Sequence, residues 1–235
     1  MKPAANWIDA LSSDRLLAEF SLWSADLANL ASEMERVERF VDIYHIDVAD
    51  GHFSPVLLYF PDLVAALRKH TPKPFHVHLM TTDDILLAQI EHFAEAGADL
   101  ISIHAENQPI DEALALIERL GLAAGIVVQL HTPVAAVAPY LDRIRILTFL
   151  GTRIGVKGKG LDDTAEPRLR EARALLAAHK NARRVILAAD GGIREHTVPG
   201  LRRTGTETIV MGSLAFNADN LAERMAWVHA QPREA

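Results

Sequence analysis

Short apolar runs alternate with amphipathic stretches along the chain. The runs LLAEFSLW, DIYHIDV, PFHVHLM, LISIHA, AGIVVQL, IRILTFL, RVILAAD and ETIVMG read as strands. Between them lie LANLASEMERVERF, DLVAALRKH, ILLAQIEHFAEAGA, IDEALALIERLGL, EPRLREARALLAAHK and NLAERMAWVHA, which read as helices. In IDEALALIERL, for example, Ile110, Leu114, Ile117 and Leu120 fall near one helical face. Strand-then-helix units imply parallel pairing, and eight of them in this length predict an α/β fold, a (β/α)8 TIM barrel, as a single domain over residues 1–235. The competitor is a doubly wound open sheet. That fold usually has a glycine-rich first turn, and SLWSADLANL contains no glycine. The extreme termini, with QPREA at the end, read as frayed.

Composition narrows the function. At 235 residues and 49% apolar, the chain can bury a sizeable core. A net charge of −7 makes it a poor binder of phosphate backbones, so no nucleic-acid partner is expected. With no cysteine, disulfides, thiolate zinc sites and a cysteine nucleophile are excluded. Any metal must be held by His, Asp or Glu. No signal-like or membrane-length apolar segment is seen, so a cytoplasmic protein without a membrane partner is expected.

The candidate chemistry lies at the strand ends. Alternation sends i and i+2 to one face, so His45 points with Asp47, and His76 with His78. Alone, His45 reads as a core histidine bonded to a neighbour and Asp47 as a carboxylate capping a backbone amide. Together they are harder to dismiss. Four ionisable groups on adjacent buried strands are expensive unless paired or metal-bound, and the C-terminal rim is where barrel enzymes build their sites. His45, Asp47 and His78, with Asp190 after the seventh run, make a His2Asp2 set suited to zinc, manganese, iron or cobalt. AADGGI and MGSLAF follow the seventh and eighth runs, where barrels often bind phosphate. Gly191, Gly192 and Gly212 let backbone amides approach an anion, and a helix starting at Ser213 adds favourable partial charge.

Taken in order, SLWSADLANL, HIDVADGHFSP, HVHLM, HAE, ADGGI and MGSLAF resemble the ribulose-phosphate 3-epimerase family over nearly the whole chain. The resemblance implies a carbohydrate epimerase, an isomerase, that inverts C3 of a ketose phosphate of the ribulose 5-phosphate/xylulose 5-phosphate type, as in pentose phosphate metabolism. It implies one divalent metal ion, zinc before manganese, iron or cobalt, on His45, Asp47, His78 and Asp190. Asp47 and Asp190 match the two acid/base residues, which exchange a proton through a cis-enediolate; Asp47 is the base in one direction and Asp190 the acid. Ser21, His78 and Met80 match substrate contacts, Met80 as part of an apolar cushion. Gly155, Gly191, Gly192, Gly212 and Ser213 fall at substrate or phosphate positions. The implied partners are a small phosphorylated sugar and further copies of the chain, as a homo-oligomer.

The sequence departs from the family pattern in three places. The loop LGTRIGVKGKGLDD stands where the family usually has Pro-Gly-Phe-Gly-Gly. Arg153, Lys157 and Lys159 make it a lid that meets an anion or a solvated basic loop. His76 replaces the usual Asp, either orienting a ligand or serving as a neutral core histidine. Ala49 and Leu147 replace methionines, which alters the cushion. An epimerase or isomerase of a tetrulose or hexulose phosphate is therefore the alternative, and a non-catalytic sugar-phosphate-binding barrel a further one. Related decarboxylases and synthases carry Asp-x-Lys-x-x-Asp; here Ala49 and His52 stand at the second and third positions. Asp50 and Gly51 are expected to shape the turn after the second run.

Overall fold

The computed structural model describes residues 2–179 and 183–233. The first two apolar runs form strands β1 (Leu17–Ser21) and β2 (Ile43–Asp50), which pair in parallel. A two-residue strand, β3 (Leu57–Leu58), then turns back antiparallel on the end of β2. The remaining runs give β4 (Phe75–Met80), β5 (Leu100–His104), β6 (Ala123–Val128), β7 (Ile146–Leu150), β8 (Ile186–Asp190) and β9 (Thr208–Met211). From β4 onward each strand pairs in parallel with the next, β2 pairs with β4, and β9 pairs with β1. Eight parallel strands therefore close on themselves, and the fold is the (β/α)8 barrel the alternation predicts.

The six helical stretches appear, each trimmed at its C-terminal end and the second, third and fifth starting one or two residues earlier than expected, as α1 (Leu30–Val37), α2 (Pro61–Leu67), α3 (Asp83–Ala96), α4 (Ile110–Arg119), α5 (Ala165–Ala178) and, last in the chain, α8 (Leu221–His229). Lys180, at the end of the fifth stretch, and residues 1, 234 and 235, which bear on the expected fraying, lie outside the described residues. Two short helices, α6 (Val198–Arg203) and α7 (Ser213–Phe216), precede α8 and have no counterpart among the six stretches. After β6 the crossover is a 3-10 stretch, Val134–Tyr140. It follows Pro133 and contains Pro139, whose missing N–H breaks the regular α-helical ladder.

Two bodies of apolar packing hold the barrel. The larger lies between strands and helices, with Phe20, Tyr44, Phe75 and Phe93 fully buried. The smaller fills the N-terminal end of the barrel interior. There Ile8, from the segment before β1, packs with Leu100, Ile146, Ile186 and Ala188, flanked by Trp7 and Leu11. The floor is thus plugged by apolar side chains, and the buried polar groups lie above it. No helix among the described residues is long and apolar enough to cross a membrane.

Candidate active site at the C-terminal mouth

Register assembles the site. Ser21 on β1 pairs with His45 on β2, His45 with His76 on β4, and Asp47 with His78. Across the barrel, Leu150 on β7 pairs with Asp190 at the end of β8. Because i and i+2 share a face, His45, Asp47, His78 and Asp190 converge, and each offers one ligand atom within 4.8 Å of the others. Asp47 Oδ1 lies 3.3 Å from both His45 Nε2 and His78 Nδ1. Asp190 Oδ2 lies 3.9 Å from His45 Nε2 and 3.8 Å from His78 Nδ1.

Neighbours settle which nitrogens face inward. His104, fully buried, lies with Nδ1 3.0 Å from Glu106 Oε2 and Nε2 2.9 Å from His78 Nε2. Burial holds His104 down to about 4, so it is neutral at pH 7. Its Nδ1–H donates to Glu106, and its Nε2 accepts from His78 Nε2–H. That leaves His78 Nδ1 facing Asp47 Oδ1 at 3.3 Å. Glu106 is anchored in turn by the Gln129 amide at 3.1 Å and by the Thr132 hydroxyl. His45 Nε2 is buried and has no hydrogen-bond partner. An orphaned imidazole nitrogen, a second imidazole nitrogen and two carboxylates around one point fit a divalent cation.

The two carboxylates are pushed apart. Asp47 is buried, which raises a carboxyl, but the His45 and His78 rings outweigh this and hold it well below the ordinary range. Ser21 Oγ donates to Asp47 Oδ2 at 2.7 Å. Asp190 is raised to about 6, by burial first and also by Asp47 across the site, against the opposing rings. The two carboxyls are thus shifted in opposite directions by their surroundings.

Above this cluster a cavity opens between the β7–α5 loop and the ends of β1, β8 and β9. Ser21, Asp47, His78, Met80, Asp190, Gly191, Gly192, Gly212 and Ser213 all line it, as do Arg153, Gly155 and Lys157. The loop lies across the mouth. Gly155, at φ +69, sits so close to Ser54 and Pro55 that a Cβ would come within 2.4 Å of Ser54 Oγ. Lys157 Nζ donates to the Trp23 carbonyl at 2.8 Å. Sequence reasoning missed Trp23, Ser24, Thr152 and Arg194, which also face the cavity; nothing in their local pattern marks them. It also missed Glu19, fully buried below the cluster, whose one signal was a carboxylate inside an apolar strand.

Other expectations fared differently. Asp50 Oδ1 accepts from the amides of His52 and Phe53, each at 2.8 Å, and Oδ2 from Thr82 N at 2.7 Å, with Gly51 at φ +78. It shapes the turn as expected. His131 is exposed and does not line the cavity. His229 is half-buried and donates Nδ1–H to the Leu16 carbonyl at 2.9 Å.

Residues 17–216 match the model of the ribulose-phosphate 3 epimerase family. The chain is 34% identical to the ribulose-phosphate 3-epimerase of Bacillus subtilis (strain 168), over 83% of this chain and 90% of that protein. It is likewise 34% identical to the enzyme of that name from Rhodobacter capsulatus, over 86% of each. Among solved structures, KGPDC from Streptococcus mutans is similar in fold, with a TM-score of 0.70 and 15% identity over 89% of this chain and 94% of that one. A 3-hexulose-6-phosphate synthase is similar at a TM-score of 0.65 and 17% identity, over 92% of this chain and 99% of that one. At such identities the last two show the barrel alone. The family match and the two bacterial relatives decide the rest: the chain belongs to the ribulose-phosphate 3-epimerase family, and with it to the carbohydrate epimerases of the isomerase class.

Proposed function

We propose that this chain inverts C3 of a ketose phosphate of the ribulose 5-phosphate/xylulose 5-phosphate type, with Asp47 and Asp190 moving the proton. The observation that carries this reading is the convergence of two carboxylates and two imidazoles on one point beneath a basic cavity. His45, Asp47, His78 and Asp190 would hold one divalent cation, zinc before manganese, iron or cobalt, because nitrogen and carboxylate donors suit these ions. When bound, the ion supplies Lewis-acid stabilisation of negative charge on the substrate oxygens.

The residues supply the rest. Asp47, ionised and steadied by the Ser21 hydroxyl, takes the proton from the carbon beside the carbonyl. Asp190, which keeps a proton to about pH 6, returns one from the other side, and the roles swap in reverse. Met80 supplies an apolar wall beside the reacting carbon. Gly191, Gly192, Gly212 and Ser213 supply backbone amides to the phosphate, and Arg153 and Lys157 add positive charge at the rim. The lysine position of the decarboxylase and synthase motif holds Ala49, buried and uncharged, which favours epimerisation.

The substituted loop favours a second version of the same reading, an epimerase of a tetrulose or hexulose phosphate, since that loop lines the cavity above the carboxylate cluster. One experiment covers both. Ketose phosphates of four to six carbons are incubated with zinc-loaded and chelator-treated protein and followed by NMR for C3 inversion. Metal-dependent inversion of one sugar is expected. No inversion of any sugar by the loaded protein would refute the reading.

A further inference from the structure

Below the candidate metal ligands lies a buried polar layer that the proton-transfer scheme does not use. Glu19 on β1 is fully buried, and its Oε2 lies 3.0 Å from His45 Nδ1 and 2.6 Å from His76 Nδ1. The far nitrogen of His76, Nε2, lies 2.7 Å from Ser102 Oγ on β5. Strands β1, β4 and β5 thus join the ligand strand β2 in one network around one carboxylate. A carboxylate with two imidazoles against it is costly to bury for packing alone, because a hydrophobic group of the same volume would avoid the desolvation.

The hydrogen bonds fix the tautomers. One oxygen of the Glu19 carboxylate lies within hydrogen-bond reach of both rings, and a carboxylate oxygen so placed accepts. Both Nδ1 atoms must then donate to it. His76 Nε2 is left to accept from the Ser102 hydroxyl, and His45 Nε2 is left aimed at Asp47 and Asp190 with no hydrogen-bond partner. The rings of His45 and His76 meet edge-on, with centroids 4.8 Å apart, so neither can rotate without displacing the other.

We propose that Glu19 is a positioning residue for the metal site: it holds His45 with Nδ1–H down and Nε2 toward the ion, and His76 with Ser102 holds Glu19. This rests on the reading of His45 as a metal ligand. A carboxylate behind a ligating imidazole fixes its orientation and raises its basicity, and losing such a partner typically costs about 10–100-fold in metal affinity.

The test is a zinc titration against a competing chelator with wild-type protein and Glu19→Gln, joined to long-range proton–nitrogen NMR of the histidine rings in the zinc-loaded wild type. The expected result is tight zinc in the wild type, zinc about 10–100-fold weaker in Glu19→Gln, and His45 protonated at Nδ1 with Nε2 on the metal. Equal affinity in the two proteins would overturn the role of Glu19 while leaving the metal site standing. A wild type that takes no zinc would remove the metal reading and this inference with it. Should Glu19→Gln not fold, the ring spectrum decides: a His45 protonated at Nε2 overturns the proposal, and one protonated at Nδ1 upholds it.

Discussion

At the residue scale, the site works by what each side chain is denied. His45 Nε2 has no hydrogen-bond partner, the Asp47 carboxyl is held low by two rings, and the Asp190 carboxyl is raised by burial and by Asp47. Ser21 completes Asp47 with one charge-assisted hydrogen bond. Ser21→Ala is expected to lower kcat/KM by about 10–100-fold with little change in thermal midpoint, as steady-state kinetics on the preferred sugar would show. Much of this scale was legible. His45 with Asp47, and His76 with His78, announce themselves because alternate residues share a face, and buried ionisable groups in an apolar run demand a reason. Glu19 escaped the same logic because a single carboxylate in LLAEFSLW has no partner in its own strand; its partners come from β2 and β4, and only the register brings them to it.

At the element scale, loops at the mouth are held by specific backbone demands. Asp50 ties the β2 turn to the start of the β4–α3 connection through three amides. Burial raises its carboxyl, but those amides outweigh it and set it below its ordinary value of 3.8. A carboxyl lowered on folding stabilises above its ordinary value, and that contribution is lost as pH falls through the native one. Asp50→Asn should therefore cost about 1–2 kcal/mol near neutrality, and the difference from wild type should shrink below about pH 4, as read from denaturant titrations across pH. Gly192 makes a different demand. It sits at φ +71, and a Cβ there would lie 2.6 Å from Leu161 Cα, so the turn and the lid loop fit only without a side chain. Gly192→Ala is expected to add about 1–3 kcal/mol of strain and to raise KM by displacing the loop, measured as thermal midpoint and saturation curve together. The helices and parallel strands were readable because their periods differ. The two-residue β3 was not, since so short a strand carries no period, and the proline-flanked 3-10 stretch after β6 matches neither.

At the scale of the whole molecule, the barrel divides its labour along its axis. The apolar plug of Ile8 with Leu100, Ile146 and Ile186 seals the N-terminal end, and the ionisable cluster occupies the other. Ile8→Ala should cost about 2–5 kcal/mol of stability and leave kcat/KM unchanged at a temperature where it stays folded. The central claim at this scale is that the barrel brings two carboxylates from β2 and β8, strands distant in the chain, to one substrate carbon. The measurement that tests it most directly is exchange of the substrate proton beside the carbonyl with deuterium oxide. It is followed by NMR in the metal-loaded wild type, in Asp47→Asn and in Asp190→Asn, each checked for fold by circular dichroism. The expected result is exchange in the wild type and a fall of about 10²–10⁴-fold in each folded variant. Exchange at the wild-type rate in both variants would contradict the account.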